Sequence, residues 1–235
     1  MADAKTVSIV IPVYNERPTI ETLIRKVKQA VILNWQKEII LVDDCSTDGT
    51  TEFLRTLNDP SLKIIYQPQN QGKGAALKIG FQAAEGEIVV VQDADLEYDP
   101  AELVEVLKPF EISGAEVVYG SRYLRPSPGL RFWHSWFNQL FTKFGNLFTG
   151  LRITDVMTCY KAFSRPALMS FRDQLESQRF GFEPEVTARI ARAGYQIVEV
   201  PISYQPRSRA EGKHMSLLGE LECLWVLIKY SMIKK

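Results

Sequence analysis

The sequence of 235 residues is poor in the residues that build thiolate, disulfide and hydrolase sites. It has only two histidines and three cysteines, and Cys45, Cys159 and Cys223 form no CxxC pair. This spacing indicates neither a zinc site nor a disulfide framework, and it fits a reducing cytosolic compartment. The motifs HExxH and GxSxG are also missing, which argues against zinc hydrolases and serine hydrolases.

Long apolar runs and an excess of one charge are lacking as well. No uncharged apolar run approaches the ~20 residues that span a bilayer, and the charged start MADAKTVSIVIPVY does not resemble a signal peptide. We therefore expect a cytoplasmic protein that is soluble or peripheral on the inner membrane face. The 28 basic and 28 acidic residues balance, which argues against broad electrostatic binding of nucleic acid.

What the chain does contain is an alternation of strand and helix patterns. Continuous Val/Ile runs separated by helices predict an α/β fold, with a mostly parallel central sheet covered by helices on both faces. The predicted strands are 6–14, 38–44, 63–67, 87–95, 115–121 and 195–204, and the predicted helices are 17–32, 49–58, 74–84, 131–149, 184–193 and 217–233, with a further helix starting at Asp99-Pro100.

Polar residues follow three of these strands. Ligands bind beyond the carboxyl ends of parallel strands, so we expect one site formed by Tyr14 and Glu16, by Asp43-Asp44, and by the segment QDADLEYDP. Asp93, Asp95 and Glu97 would share one side of an extended segment. Mg²⁺ or Mn²⁺ there would offset the crowded carboxylates and hold a diphosphate.

Simpler interpretations stand beside these predictions. A solvated turn with a helix cap is the alternative for the acidic segment, and we adopt it for Asp99. Asp43-Asp44 would contact a base or ribose, cap a helix, or do both. The segment NQGKGAALKIG is not a Walker A motif, so Gly72 and Gly74 predict a tight helix start, and Lys73 would approach a nucleotide.

Basic and aromatic segments in the second half leave two possibilities each. Arg122 and the loop with Arg207, Arg209 and Lys213 either bind phosphate or form a solvated surface. The helix at 131–149 carries Trp133, Phe137, Phe141, Phe144 and Phe148 at helical spacing, with Phe132, Trp136 and Leu140 beside them. This stripe packs in the core or lies in a membrane interface.

The ordered set of motifs resembles a known family. SIVIPVYNE, VDDCSTDGT, NQGKGAAL, QDADLEYDP, GSRY, TCYKAF and EVPISY followed by GKH are similar to family 2 glycosyltransferases of GT-A fold, and most to the polyprenyl-phosphate hexose synthases. The resemblance covers about residues 6–216. It implies a single Rossmann-like GT-A domain at 1–216, and the apolar spacing of the residues that follow predicts an amphipathic helix at 217–235.

The resemblance also implies residue roles. Asp43 or Asp44 would contact the nucleoside, and Glu97 stands where many relatives carry a Gln that approaches the metal. Metal binding is implied for Asp93, Asp95 and Glu97; catalysis for Asp95, Arg122, Asp155 and Glu185; and donor binding for Pro12, Tyr14, Glu16, Asp43, Asp44, Lys73, Asp93, Arg207 and Lys213.

The implied activity is inverting transfer of a hexose from GDP-mannose or a UDP-hexose to a polyprenyl phosphate at a membrane surface. A phosphate acceptor needs no general base, because its second pKa of about 6 makes it a dianion near pH 7. The alternative is a soluble family 2 enzyme with a saccharide or protein hydroxyl acceptor, for which Glu183 or Glu185 could be the base. A nucleotidyltransferase is disfavoured because PVYNERPT has no glycine.

Overall fold

The structure, a computed structural model, describes residues 5–125, 132–207 and 217–232. These ranges form one seven-stranded sheet with helices on both faces. The strands are β1 (Thr6–Val13), β2 (Gln36–Asp43), β3 (Leu62–Tyr66), β4 (Ile88–Val91), β5 (Val117–Ser121), β6 (Lys161–Ser164) and β7 (Ile197–Pro201). The helices are α1 (Ile20–Gln29), α2 (Thr50–Thr56), α3 (Lys73–Ala83), α4 (Leu103–Ile112), α5 (Phe132–Thr149), α6 (Arg165–Phe171), α7 (Phe182–Arg192) and α8 (Leu217–Met232).

The strand order is β3-β2-β1-β4-β6-β5-β7. Every pairing is parallel except those of β6, which runs antiparallel to β4 and β5. The predicted mostly parallel sheet is therefore confirmed. Strand β6 was not predicted, because four residues are too few to show a period, and its pairing joins segments far apart in sequence.

The sheet is buried on both faces, which explains its continuous apolar strands. Along β1, Ile9 and Ile11 pack into one core with α1 and α4, whereas Val10 packs into a second core with α3 and α7. Helix α1 is shorter than predicted: it ends at Gln29, so Val31 lies beyond the apolar face and is exposed.

The acidic segment after β4 is a turn rather than the predicted extension of the strand. Strand β4 ends at Val91, and Leu96 has a left-handed φ of 64°. The backbone N–H of Glu97 donates to Asp95 Oδ1 at 3.0 Å, so this carboxylate bends the chain locally. Asp93, Asp95 and Glu97 therefore do not lie on one side of an extended strand, and that prediction was wrong.

The helix start at Asp99 is partly as predicted. Asp99 accepts from the backbone N–H of Ala101 at 3.2 Å and caps a short 3₁₀ turn that precedes α4. Glu102 does not reach back to the cap as a capping-box residue would. It instead accepts from the backbone N–H and the hydroxyl of Ser203 and pairs with Arg125.

The predicted aromatic stripe of α5 is divided between core and surface. Phe141 of α5 is buried, and α8 packs against α5 and α7 with Cys223, Leu227 and Tyr230 buried. Other apolar side chains of α5 remain exposed. They are Trp136, Leu140, Phe144, Leu147 and Phe148.

Close backbone contact requires the glycine at the start of α3. A Cβ on Gly74 would lie 2.3 Å from the carbonyl oxygen of Ser177, and backbone cannot yield as a side chain can. We expect Gly74→Ala to lower the free energy of unfolding by about 1–3 kcal/mol, despite its better helix propensity. Urea denaturation measures this change.

The matched control is Gly145→Ala in α5. Its methyl group would lie 3.2 Å from Val156 Cγ2 and 3.3 Å from Leu227 Cδ1, and these side chains can shift. A Gly74→Ala variant as stable as the wild type would show that the backbone of residues 177–178 is not in close contact with α3.

Candidate active site

A cavity of about 630 Å³ lies at the carboxyl ends of β1, β2 and β4. It is the place where ligands bind in open α/β sheets, and the structure brings most of the predicted site residues together there. Those that line it are Pro12, Tyr14, Glu16, Asp44, Lys73, Asp93, Asp95, Glu97, Arg122 and Arg207. Lys213, with Arg209, lies outside the described residues.

The loops around the cavity hold left-handed backbone at residues other than glycine. Asn15 follows β1, Cys45 follows β2 and Leu96 lies after β4, with φ of 55°, 61° and 64°. This conformation costs about 1–2 kcal/mol for Cys45 and Leu96, whereas asparagine adopts it more readily. Strained residues of this kind cluster at functional sites, so their position agrees with the cavity being such a site.

The two neighbouring aspartates after β2 have different surroundings. Asp43 accepts from the backbone N–H and the hydroxyl of Ser46 and from the hydroxyl of Thr51; it braces its own loop and does not line the cavity. Asp44 lines the cavity. Its carboxylate accepts from Gln67 Nε2 at 2.7 Å and from the backbone N–H groups of Gln71 and Gly72 at 2.8 and 2.7 Å.

Lys73 stands at the centre of the carboxylates. Its Nζ lies 2.8 Å from Asp93 Oδ1, 3.0 Å from Glu183 Oε1 and 3.0 Å from Cys159 Sγ. Burial disfavours the ammonium, but Asp93 and then its other neighbours outweigh burial, so the pKa of Lys73 lies well above its ordinary value. Three protein groups thus surround the ammonium at close range, and a nucleotide would have to displace one of them.

Arg207 joins two loops across the cavity mouth. Its Nη2 lies 2.6 Å from Glu16 Oε1 and 3.3 Å from Asp95 Oδ2. Glu97 accepts from the hydroxyl of Tyr204 at 2.9 Å and from the backbone N–H of Arg207 at 3.0 Å. Glu97 therefore holds the segment after β7. Among the described residues no cluster of three His, Cys, Asp or Glu is arranged to hold a metal ion.

Arg122 and Asp155 form a buried bidentate pair. Arg122 Nε and Nη2 donate to Asp155 Oδ2 and Oδ1 at 2.7 and 2.8 Å. Glu199 in turn accepts from the backbone N–H groups of Thr154 and Asp155. Arg122 lines the cavity, whereas Asp155 is fully buried behind it. The arrangement lets Asp155 orient Arg122 without touching a ligand itself.

Of the two glutamates in the first turn of α7, only one faces the cavity. Glu185 is fully buried and accepts from the backbone N–H groups of Glu176 and Ser177 and from Arg189 Nε. It closes a loop onto α7 and lies away from the cavity lining. Glu183 lines the cavity instead, although the sequence predicted it only for a hydroxyl acceptor.

Several cavity residues were not predicted at all. Cys159, Arg179 and Tyr204 line the wall, but each lies within an irregular segment whose place in space is set by tertiary contacts. A second cavity, of about 390 Å³, lies at the opposite end of the sheet around Trp35 and Phe110. None of the predicted site residues that the structure describes lines it.

Comparison with known proteins decides the family. Residues 8–171 match the family model of Glycosyl transferase family 2, which is more than half of the chain. The chain belongs to glycosyl transferase family 2. Its position in that family makes this protein a glycosyltransferase, and the predicted enzyme class is confirmed.

Two relatives of this family 2 glycosyltransferase match it along most of their length. Undecaprenyl-phosphate mannosyltransferase of Micrococcus luteus is 31% identical over 215 residues, which are 87% of this chain and 85% of that protein. Polyprenol monophosphomannose synthase of Mycolicibacterium smegmatis is 31% identical over 216 residues, which are 87% and 79% of the two chains.

A solved structure confirms the fold. Glucosyl-3-phosphoglycerate synthase of Mycobacterium tuberculosis, in complex with Mn²⁺, UDP and phosphoglyceric acid, superposes with a TM-score of 0.71. The two chains are 22% identical, and the match covers 98% of this chain and 80% of that one. The GT-A fold predicted for the family 2 glycosyltransferase is confirmed by this similarity and by the family match.

The Arg122–Asp155 pair predicts a large asymmetry between two aspartate substitutions. Asp155→Ala removes a buried carboxylate that accepts two hydrogen bonds from the guanidinium of Arg122, so we expect a loss of about 3–5 kcal/mol in the free energy of unfolding. Asp173→Ala removes an exposed carboxylate that pairs with Arg172. We expect this change to lower the free energy of unfolding by less than about 1 kcal/mol. Equal losses in urea denaturation would contradict the assignment of Asp155 as the brace of Arg122.

Proposed function

We propose that this chain is an inverting glycosyltransferase that moves a hexose from a nucleotide-diphosphate sugar to a polyprenyl phosphate. One observation carries the proposal. Arg122 and Arg207 line the same cavity as Asp93 and Asp95, in a family 2 chain whose relatives of similar length are named undecaprenyl-phosphate mannosyltransferase and polyprenol monophosphomannose synthase. One cavity thus contains groups for a cation, for a diphosphate and for an acceptor phosphate.

The donor nucleoside would bind where Tyr14 and Asp44 line the cavity. A carboxylate offers about four lone-pair positions, and protein donors occupy three of them on Asp44. One position remains for an N–H of a base or a ribose hydroxyl. Both GDP-mannose and a UDP-hexose satisfy this requirement, so both belong to the proposal.

The carboxylates fit a divalent cation. Asp93 and Asp95 supply the oxygen ligands that Mg²⁺ and Mn²⁺ prefer, and Asp93 Oδ1 is buried without hydrogen-bond geometry to any described group, although Lys73 Nζ is 2.8 Å away. When bound, such an ion would stabilise the negative charge of the departing nucleoside diphosphate. Glu97 would contribute by holding the Tyr204–Arg207 segment rather than as a ligand.

The acceptor side would depend on arginine. A phosphomonoester is already a dianion near pH 7, since its second pKa is about 6, so the reaction needs a cation to position the nucleophile more than a base. Arg122 suits this role because Asp155 holds its guanidinium in one orientation. Attack on the anomeric carbon from the side opposite the diphosphate would invert its configuration.

A hydroxyl acceptor is the second candidate function. Glu183 lines the cavity, and its Oε2 is buried without a hydrogen-bond partner among the described residues. A carboxylate so placed could take the proton of an attacking hydroxyl. Transfer to a saccharide or protein hydroxyl, with no gain from a lipid phosphate, would favour this candidate.

Transfer assays test the proposal directly. Purified protein with Mn²⁺ is given GDP-mannose, UDP-glucose or UDP-GlcNAc, with and without undecaprenyl phosphate, and lipid-linked sugar is counted after organic extraction. We expect lipid-dependent transfer with one donor. Asp95→Ala or chelation by EDTA should lower it about a hundredfold or more.

The control for this assay is Asp173→Ala, which changes an exposed carboxylate outside the cavity and should keep the wild-type rate. Donor hydrolysis that lipid does not accelerate would refute the lipid phosphate as acceptor. Transfer that is unchanged in Asp95→Ala would refute the assigned cation site.

The exposed face of α5 would bring the enzyme to its lipid acceptor. Trp136, Leu140, Phe144 and Leu147 recur along one side of a helix that also contributes Asn138 to the cavity wall. No helix within the described ranges is long and apolar enough to cross a bilayer. An apolar helix face beside basic residues such as Lys143 is typical of interfacial binding, so we propose that α5 lies on the membrane surface.

Vesicle binding checks this role of α5. In Phe144→Glu/Leu147→Glu two exposed apolar side chains become charged, so we expect about tenfold weaker binding to anionic phospholipid vesicles that contain undecaprenyl phosphate. Ile112→Glu is the control, since Ile112 is 81% exposed on α4, which packs on the other face of the sheet. Equal vesicle binding by all three proteins would contradict the proposal.

A further inference from the structure

Glu183 is the buried carboxylate whose second oxygen the protein leaves unsatisfied. The residue is 4% exposed and lines the cavity, with Oε1 3.0 Å from Lys73 Nζ. Its Oε2 has no hydrogen-bond partner among the described residues. Buried acceptors are nearly always paired, and an ionised one without a partner is unfavourable. This oxygen is therefore suited to receive a donor from a ligand.

The neighbours of Glu183 place it next to the predicted diphosphate position. Lys73 bridges Glu183 and Asp93, with Nζ 3.0 Å from Glu183 Oε1 and 2.8 Å from Asp93 Oδ1. Asp93 belongs to the pair that would hold the cation on the diphosphate. A single ammonium group thus separates Glu183 from Asp93, so Glu183 lies beside the position proposed for the diphosphate, to which the donor sugar is attached.

We propose that Glu183 Oε2 accepts a hydrogen bond from a hydroxyl of the donor hexose, and that Glu183 is a sugar-recognition residue. This inference rests on the proposed function, since it requires a nucleotide-sugar donor. An ionised carboxylate only accepts hydrogen bonds, and a sugar hydroxyl donates one. A sugar that lacks the hydroxyl in question would leave Glu183 Oε2 buried without a hydrogen-bond donor, so the site would reject it strongly.

The positive charge of Lys73 explains how the carboxylate of Glu183 can be buried in the cavity without a second hydrogen-bond partner. The ammonium of Lys73 lies between the carboxylates of Glu183 and Asp93, so its charge stabilises Glu183 in this position before a sugar arrives. Glu185, two residues further along α7, shows the contrasting case, because protein donors satisfy both of its oxygens. Of these two glutamates, only Glu183 has a carboxylate oxygen that no described group donates to.

Binding to deoxy-sugar donors tests the inference. Isothermal titration with Mn²⁺ measures the Kd of GDP, UDP, GDP-mannose and UDP-glucose, and of forms of the bound donor that lack one sugar hydroxyl at a time. The proteins are the wild type, Glu183→Gln, Glu183→Ala and, as a control outside the cavity, Glu176→Gln. Circular dichroism at the assay temperature verifies that each variant is folded.

We expect one deoxy donor to bind the wild type and the control about ten- to one-hundredfold more weakly than the parent donor, as loss of a hydrogen bond to a charged group predicts. That penalty should shrink in Glu183→Gln, which keeps a weaker acceptor, and vanish in Glu183→Ala. The Kd of the bare nucleoside diphosphate should differ by less than about threefold between the wild type and the Glu183 variants, because this ligand lacks the hexose.

Two results would overturn the inference. In the first, both Glu183 variants keep the wild-type penalty at every hydroxyl. In the second, they bind all donors like the wild type but transfer sugar slowly, which would assign Glu183 as a general base. Failure of the proposed function differs from both: the wild type would discriminate among deoxy donors yet transfer nothing to undecaprenyl phosphate.

Discussion

Charge compensation at the carboxyl edge of the sheet is the constraint on which the site depends. Parallel strands deliver carboxylates to one edge, and in a cavity of low dielectric their repulsion is strong. Lys73 and Arg207 offset this repulsion by contacts with Asp93, Glu183, Asp95 and Glu16. Each cation also joins segments distant in sequence, so the same ion pairs balance the charge and position the loops.

The ion pairs at the cavity suit a charged ligand whose groups would replace the present protein partners. The cavity wall carries more carboxylates than basic side chains, an excess that a divalent cation would balance. A bound diphosphate would in turn attract Arg207, which now contacts Glu16 and Asp95. Donor and cation would thus replace internal partners one for one, and the buried charges would stay paired throughout.

In helix α7, a glutamate that lines the cavity and a glutamate that holds a loop are only two residues apart. Successive positions of a helix are rotated by about 100°, so residues two apart face nearly opposite directions. Glu185 consequently points to the loop at 176–177 and to Arg189, whereas Glu183 points to Lys73 in the cavity. Asp43 and Asp44 divide in the same way between bracing a loop and lining the site.

The sequence by itself determined the parallel α/β sheet and the edge that carries Tyr14, Asp44 and Asp93, because the strand pattern and the position of a residue after a strand are local properties. Only the tertiary structure decided that Glu183 rather than Glu185 enters the cavity, that Asp155 lies behind Arg122, and that β6 inserts antiparallel into the sheet. Those outcomes depend on contacts between residues far apart in the chain, which no local periodicity encodes.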